Sequence, residues 1–248
     1  MKNIINSPIE KSNFLCGGAV VGTIHTRPCV DAALKLDDGA VDYFELRVDA
    51  FAENLADQSA LFHAADSLKT PRILTVRHPK EGGSAKLSPG ERRALFHQFL
   101  SLATLVDVEL RSAEQLSDVV DEAKARGIGV ILSHHDFKRT PPLARLHQLA
   151  DEAHALGCDV FKLATVTDTP SGLRTLLEFL ATANVPGSRK PSLPALAVMG
   201  MGALGKLSRL VLGSTGSVLN YGYLDKPQVP GQWPAELLKQ RLNELATA

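Results

Sequence analysis

The feature that most constrains this chain is an alternation: short apolar runs rich in β-branched residues take turns with longer stretches of helical period, eight times over. The runs fall at residues 19–24, 43–48, 72–77, 105–110, 129–133, 160–164, 195–198 and 218–221. Helical patterns lie between them, among them residues 55–68, 89–102, 113–125, 142–156, 171–184 and 202–212, and residues 235–246 close the series. Eight β-then-α units in 248 residues fit the size and repeat of a single-domain (β/α)₈ TIM barrel better than two α/β domains. A doubly wound open sheet is the competing architecture, since period and length do not say whether a sheet closes. Residues 1–15 stand outside the repeat as an N-terminal extension expected to cap the bottom of the barrel, and residues 185–194 read as a surface loop before the seventh strand.

Composition excludes several functions. With 27 Lys and Arg against 27 Asp and Glu, no overall basic field exists to hold a polyphosphate, and clusters such as Glu91-Arg92-Arg93 mix both signs, so nucleic acid is not an expected partner. Three cysteines (Cys16, Cys29, Cys158) without CxxC spacing argue against a disulfide framework or a structural zinc site. No stretch approaches the roughly 20 apolar residues of a membrane helix, and no signal-like run opens the chain, so a cytoplasmic location is expected.

The strands carry the informative anomaly. Strands covered on both faces should be nearly continuous apolar runs. In Tyr43-Phe44-Glu45-Leu46-Arg47-Val48-Asp49, the period of two sends Phe44, Leu46 and Val48 toward the helices and Glu45, Arg47 and Asp49 into the barrel. Arg77, Asp107, Glu109, Ser133, His135 and Lys162 occupy equivalent places near other strand ends. Buried charges are costly unless paired, so a convergent set of both signs is expected to be a site, at the strand C-termini where barrel chemistry sits.

Two members of the set are chemically suggestive. Lys162 is flanked by Val160, Phe161 and Leu163 and expected to face arginines. Desolvation and like-charge repulsion would favour the neutral amine that attacks a carbonyl. His135 is expected to serve as proton carrier without a large shift, and His134 to face the other way in a structural role. His134, His135 and Asp136 also admit a metal-ligand reading, but adjacent strand residues diverge and no HxH or HExxH spacing supports it.

Seven segments in order resemble the type I 3-dehydroquinate dehydratases. They are Glu45-Leu46-Arg47-Val48-Asp49; Thr75-Val76-Arg77 with Glu81-Gly82-Gly83; Val106-Asp107-Val108-Glu109-Leu110; Ser133-His134-His135-Asp136-Phe137; Phe161-Lys162-Leu163-Ala164; Met199-Gly200-Met201 with Ser208-Arg209-Leu210; and Pro230-Gly231-Gln232. The resemblance implies a (β/α)₈ barrel that dehydrates 3-dehydroquinate to 3-dehydroshikimate in the shikimate pathway, by syn elimination through an imine, with neither metal nor organic cofactor. It implies Lys162 as imine-forming lysine, His135 as general base and Glu81 as the carboxylate that orients it. Glu45, Arg47, Arg77, Met201, Arg209, Tyr221, Gln228 and Gln232 are implied as the substrate-binding set, with Arg209 matched to the substrate carboxylate. The chain departs from the family at Gln228, where a serine is usual, at Tyr221, taken as the aromatic residue of the same loop, and at Gly22, beside Thr23, where a hydroxyl is often found. Dimers are common in that family, so a homodimer is implied by analogy.

Two other features compete. Gly200-Met201-Gly202-Ala203-Leu204-Gly205-Lys206 matches both GxGxxG and GxxxxGK, but too little chain follows for a dinucleotide domain, and Leu207 stands where a P-loop needs Ser or Thr. Another Schiff-base barrel lyase, such as a class I aldolase, would share Lys162 without requiring Glu81 and His135; a catalytically silent, ligand-binding barrel would need neither.

Overall fold

A computed structural model describes residues 18–183 and 193–247. Within them the alternation resolves into β1 (Ala19–Ile24), α1 (Arg27–Ala33), β2 (Tyr43–Arg47), α2 (Leu55–Ser67), β3 (Arg72–Thr75), α3 (Pro89–Phe99), β4 (Leu105–Glu109) and α4 (Ser117–Ala125). It continues through β5 (Gly129–Asp136), α5 (Leu143–Ala155), β6 (Val160–Val166), α6 (Pro170–Ala183), β7 (Ala195–Met201), α7 (Gly205–Ser214), β8 (Leu219–Tyr223) and α8 (Ala235–Ala246). The strands are parallel in the order β7-β6-β5-β4-β3-β2-β1-β8. The two outer strands meet where Val218 N–H donates to Leu196 O at 2.9 Å, and where the Ser217 hydroxyl accepts from Val198 N–H and donates to Val198 O. The fold is therefore a (β/α)₈ barrel, not an open sheet. The expected cap from residues 1–15, Cys16 and most of the expected loop at residues 185–194 lie outside the described residues.

Local chemistry explains the helix starts. Ser88 and Glu91 form a reciprocal capping box ahead of α3, with Pro89 at the first helical position where its missing N–H is harmless. Asn54 caps α2 and Thr26 caps α1, the latter a seven-residue helix too short to stand out by periodicity.

Element ends differ from the sequence expectation for a physical reason. Strands β5, β6 and β7 run to Asp136, Val166 and Met201, past their apolar runs, because the ladder continues through Ser133 beside Lys162 and Val166 beside Met201. Strands β2 and β3 stop earlier than expected. Val48–Phe51 winds into a 3₁₀ turn, and Arg77 N–H donates to the Asp49 carboxylate at 3.1 Å instead of to a strand. Ladder pairing, not apolar content, sets these ends.

Two apolar clusters sit on opposite sides of the strands. Phe44, Leu46 and Val48, with Val106, Val130, Phe161 and Val198, pack against the helices. Val21, Ile73, Leu105, Ile131, Val160, Ala197 and Leu219 fill the barrel. One step along the strands above this apolar floor, the inward positions become Glu45, Thr75, Asp107, Ser133 and Lys162. The barrel thus turns polar where its strands end, as the period of two required.

The glycines of the nucleotide-like motif are explained by packing. A Cβ on Gly205 would sit 2.7 Å from the Gly231 Cα, and Gly202 takes φ +82°, with Ala203 N–H donating to Asp168. This close approach presses the start of α7 onto the chain segment that carries Gln232. We expect Gly205→Ala to destabilise the protein by about 1–3 kcal/mol, as overpacking against rigid backbone does. Thermal denaturation checks this: the midpoint should fall, and an unchanged midpoint would mean the contact can relax freely.

Candidate active site

The strand ends enclose a cavity of about 430 Å³. The eleven catalytic and substrate-binding candidates that the family resemblance implies line it, namely Glu45, Arg47, Arg77, Glu81, His135, Lys162, Met201, Arg209, Tyr221, Gln228 and Gln232, whereas the inward Asp49, Asp107, Glu109 and Ser133 are not among its lining residues.

Its floor is an ionic lattice centred on Asp107. That fully buried carboxylate accepts from both Arg77 Nη atoms at 3.1 and 2.8 Å, from the Ser133 hydroxyl at 2.6 Å and from Lys162 Nζ at 2.8 Å. Burial alone would raise its pKa, yet Arg77 and then Lys162 hold it well below the usual carboxylate range. Arg77 also donates to Glu109 at 3.1 Å, and Glu109 in turn accepts from Arg92 on α3. Burial works against the Arg77 charge, but Asp107 and Glu109 outweigh it and fix the guanidinium as a cation.

Lys162 departs from expectation. It was expected to face arginines, but its Nζ meets Asp107 and, at 3.4 Å, Glu45, and lies 3.7 Å from the centroid of the Tyr221 ring. Alternation explains this, since Glu45, Asp107 and Lys162 are inward residues of the alternate strands β2, β4 and β6, which share a layer in a tilted barrel. Arg47 instead grips Asp49 with two bonds of 2.9 Å, and Arg77 shares Asp107 with Lys162.

His135 and Glu81 form a pair. Glu81 ends a short 3₁₀ turn, Pro79–Glu81, in which Lys80 N–H donates to His78 Nδ1 and Glu81 N–H to His78 O, and which is stopped by left-handed Gly82. One Glu81 oxygen accepts from His135 backbone N–H and meets His135 Nδ1, both at 3.0 Å. Burial, then Arg77 and Lys162, push His135 well below 6.5, a large shift that the sequence reading did not anticipate. Burial, then Glu109, raises Glu81 to about 7. The pair therefore shares one proton at moderately acid pH and loses it near neutrality, leaving a carboxylate that accepts from Nδ1–H and frees Nε2 as a base. His134 on the other strand face is half-buried and lines no part of the cavity.

Arg209 is different from the other buried arginines. Its guanidinium donates to Tyr221 O at 2.8 Å and Gly231 O at 3.2 Å, and approaches Met199 Sδ at 3.4 Å, with no carboxylate bonded to it among the described residues. Burial alone lowers its pKa to about 10. A buried, uncompensated guanidinium opening on a cavity is an anion site.

The match extends over nearly the whole molecule. A family model for type I 3-dehydroquinase matches residues 24–247. This chain belongs to the type I 3-dehydroquinases. It is 32% identical over 225 residues to the 3-dehydroquinate dehydratase of Thermococcus gammatolerans, covering 90% of this chain and 97% of that one. It is 33% identical to that of Klebsiella pneumoniae, covering 85% of each. The crystal structure of the Clostridium difficile type I enzyme with covalently modified comenic acid is similar at a TM-score of 0.82 and 26% identity, covering 94% of both chains.

Several residues of this type I 3-dehydroquinase site escaped the sequence reading. Asp107 was seen as an inward charge but given no role. Asp49 ties the site together by accepting from Arg47, Arg77 N–H and Ser84 N–H. His25, Ser84 and Phe137 also line the cavity, and the Phe137 ring stacks on His135 at 6.3 Å between centroids. The departure noted at Gly22 has a packing reason: a Cβ there would meet Leu224 and Val41, while neighbouring Thr23 is the hydroxyl residue of this strand that lines the cavity. Tyr221 is not in a loop but on β8. Gln232 accepts from Gln228 N–H at 2.7 Å, so the backbone at position 228, whatever its side chain, shapes this wall.

The pair generates a pH prediction. The base form requires ionised Glu81, so kcat/KM should rise with pH through about 7. In Glu81→Gln that acid limb should disappear while residual activity falls. A limb unchanged in midpoint and amplitude would show that another group titrates.

Proposed function

We propose that this protein dehydrates 3-dehydroquinate to 3-dehydroshikimate through an imine on Lys162, as the shikimate-pathway enzyme, with residues 1–248 acting as one catalytic barrel. Family membership and the names of the relatives support the substrate. One observation carries the mechanism: Lys162, the His135–Glu81 pair and uncompensated Arg209 share a single cavity.

The Lys162 ammonium passes one proton to His135, and the amine so freed attacks the ketone carbon, forming the C–N bond as the C=O electron pair moves onto oxygen; that oxygen takes a second proton from the nitrogen and then, protonated by His135, leaves as water. The resulting iminium carries the positive charge that the ammonium carried before. Asp107 and Glu45 are therefore already placed to balance it, with no reorganisation of the lattice. His135 then takes the C2 proton, and the electron pair flows into the iminium to give an enamine. The enamine expels the C1 hydroxyl, which leaves as water with the proton held by His135. Hydrolysis of the product iminium returns the amine.

Arg209 holds the substrate carboxylate, and Gln232, Gln228, Glu45 and Met201 complete the walls. Arg47 and Arg77, already bonded to carboxylates, act as framework more than as direct ion-pair partners. Free, buried Cys29 and Cys158 suit a reducing cytoplasm. Among the described residues no helix is long and apolar enough to cross a membrane. A homodimer is the family analogy, and sedimentation would decide it.

Borohydride reduction with 3-dehydroquinate, followed by peptide mass mapping, tests the mechanism. The mass gain should fall on the peptide bearing Lys162; its absence, or its appearance at another lysine, would refute the reading. His135→Ala should still form the adduct, slowly, while dehydration falls by about 10²–10⁴-fold. Turnover at the parent rate would remove His135 as base.

A further inference from the structure

The reaction as derived leaves one residue of the cavity lining with a buried hydroxyl that has no task. Tyr221 faces inward from β8 and is 3% exposed, yet its hydroxyl has no protein hydrogen-bond partner. Buried hydroxyls in folded proteins ordinarily have a partner, and one without carries a desolvation cost in the free protein. Thr23 Oγ1 is the other such hydroxyl of the cavity, already accounted for as the first-strand hydroxyl.

The position of the Tyr221 ring narrows what its hydroxyl can meet. The face of the ring lies 3.7 Å from Lys162 Nζ, so a carbon that bonds to Nζ comes to rest against the same side chain, and brings its own oxygen with it. Burial, and then the charges of Glu45 and Asp107, keep the phenol protonated well beyond its ordinary range. The hydroxyl is therefore available as a donor, and its partner is an oxygen acceptor.

We propose that the Tyr221 hydroxyl donates a hydrogen bond to the oxygen on the carbon that Lys162 attacks, first the ketone oxygen and then the carbinolamine hydroxyl. The inference rests on the imine reading above and adds a substrate-contacting donor to it. Attack by the amine shifts electrons from the C=O bond onto that oxygen, and a fixed donor in a water-poor site stabilises the charge as it develops. A phenylalanine would keep the ring face against the cationic nitrogen but supply no such donor.

Tyr221→Phe separates the two functions of the side chain. The rate at which borohydride traps the Lys162 adduct in a rapid-mixing experiment with 3-dehydroquinate should fall by about 10-fold, the usual worth of one buried hydrogen bond. The thermal midpoint of the free protein should rise by about 2–4 °C, because an uncompensated buried hydroxyl has been removed. A hydroxyl with a structural role would lower the midpoint instead. Adduct formation at the parent rate, or a lowered midpoint, overturns the proposal while the imine reading stands. Failure of the parent protein itself to form an adduct overturns the imine reading and this inference with it.

Discussion

Everything at the mouth of this barrel depends on the Asp107 carboxylate. Two cations, Arg77 and Lys162, and one hydroxyl, Ser133, converge on it in a space with no exposure to solvent. Charges in such a setting are costly unless they are met, and loss of a single partner leaves an uncompensated ion. The lattice is accordingly closed outward: Arg77 reaches Glu109, Glu109 reaches Arg92 on α3, and Arg92 also donates to Val76 O and Ser112. A chain of ion pairs thus ties Lys162 to the helix layer outside the barrel.

This closure has a functional consequence. With Arg47 and Arg77 neutralised by Asp49 and Asp107, Arg209 is the cavity arginine left without a carboxylate among the described residues. In the function proposed above, a small anion entering the cavity finds one strong partner instead of three equivalent ones. The same framework positions His135. Asp49 fixes the backbone at Arg77 and Ser84, on either side of the turn that presents Glu81, and Glu81 fixes His135.

Much of this was legible in the sequence, for a simple reason: the period of two forces alternate strand residues inward, so Glu45, Arg47, Asp107 and Lys162 could only point into the barrel or disrupt it. The eightfold alternation fixed the repeat for the same reason. Pairing between side chains was less legible. Which cation faces which carboxylate depends on the stagger between neighbouring strands, and no single segment encodes that. Lys162 was therefore assigned to arginines when it meets Asp107 and Glu45, and Asp49 looked like one more inward charge when it bridges two loops. The ends of β5 to β7 were missed because polar residues continue the ladder there.

Among the described residues that line the cavity, Arg47, Arg77 and Lys162 are met by carboxylates and Arg209 is not, and in the proposed reaction the carboxylates on Lys162 are ready for an iminium. A crystal structure of the borohydride-reduced complex with 3-dehydroquinate tests it most directly. The expected result is a covalent bond to Lys162 Nζ, the ligand carboxylate on the Arg209 guanidinium, and the Arg47–Asp49 and Arg77–Asp107 pairs intact. A ligand carboxylate seated on Arg47 or Arg77, with either pair broken, would contradict it.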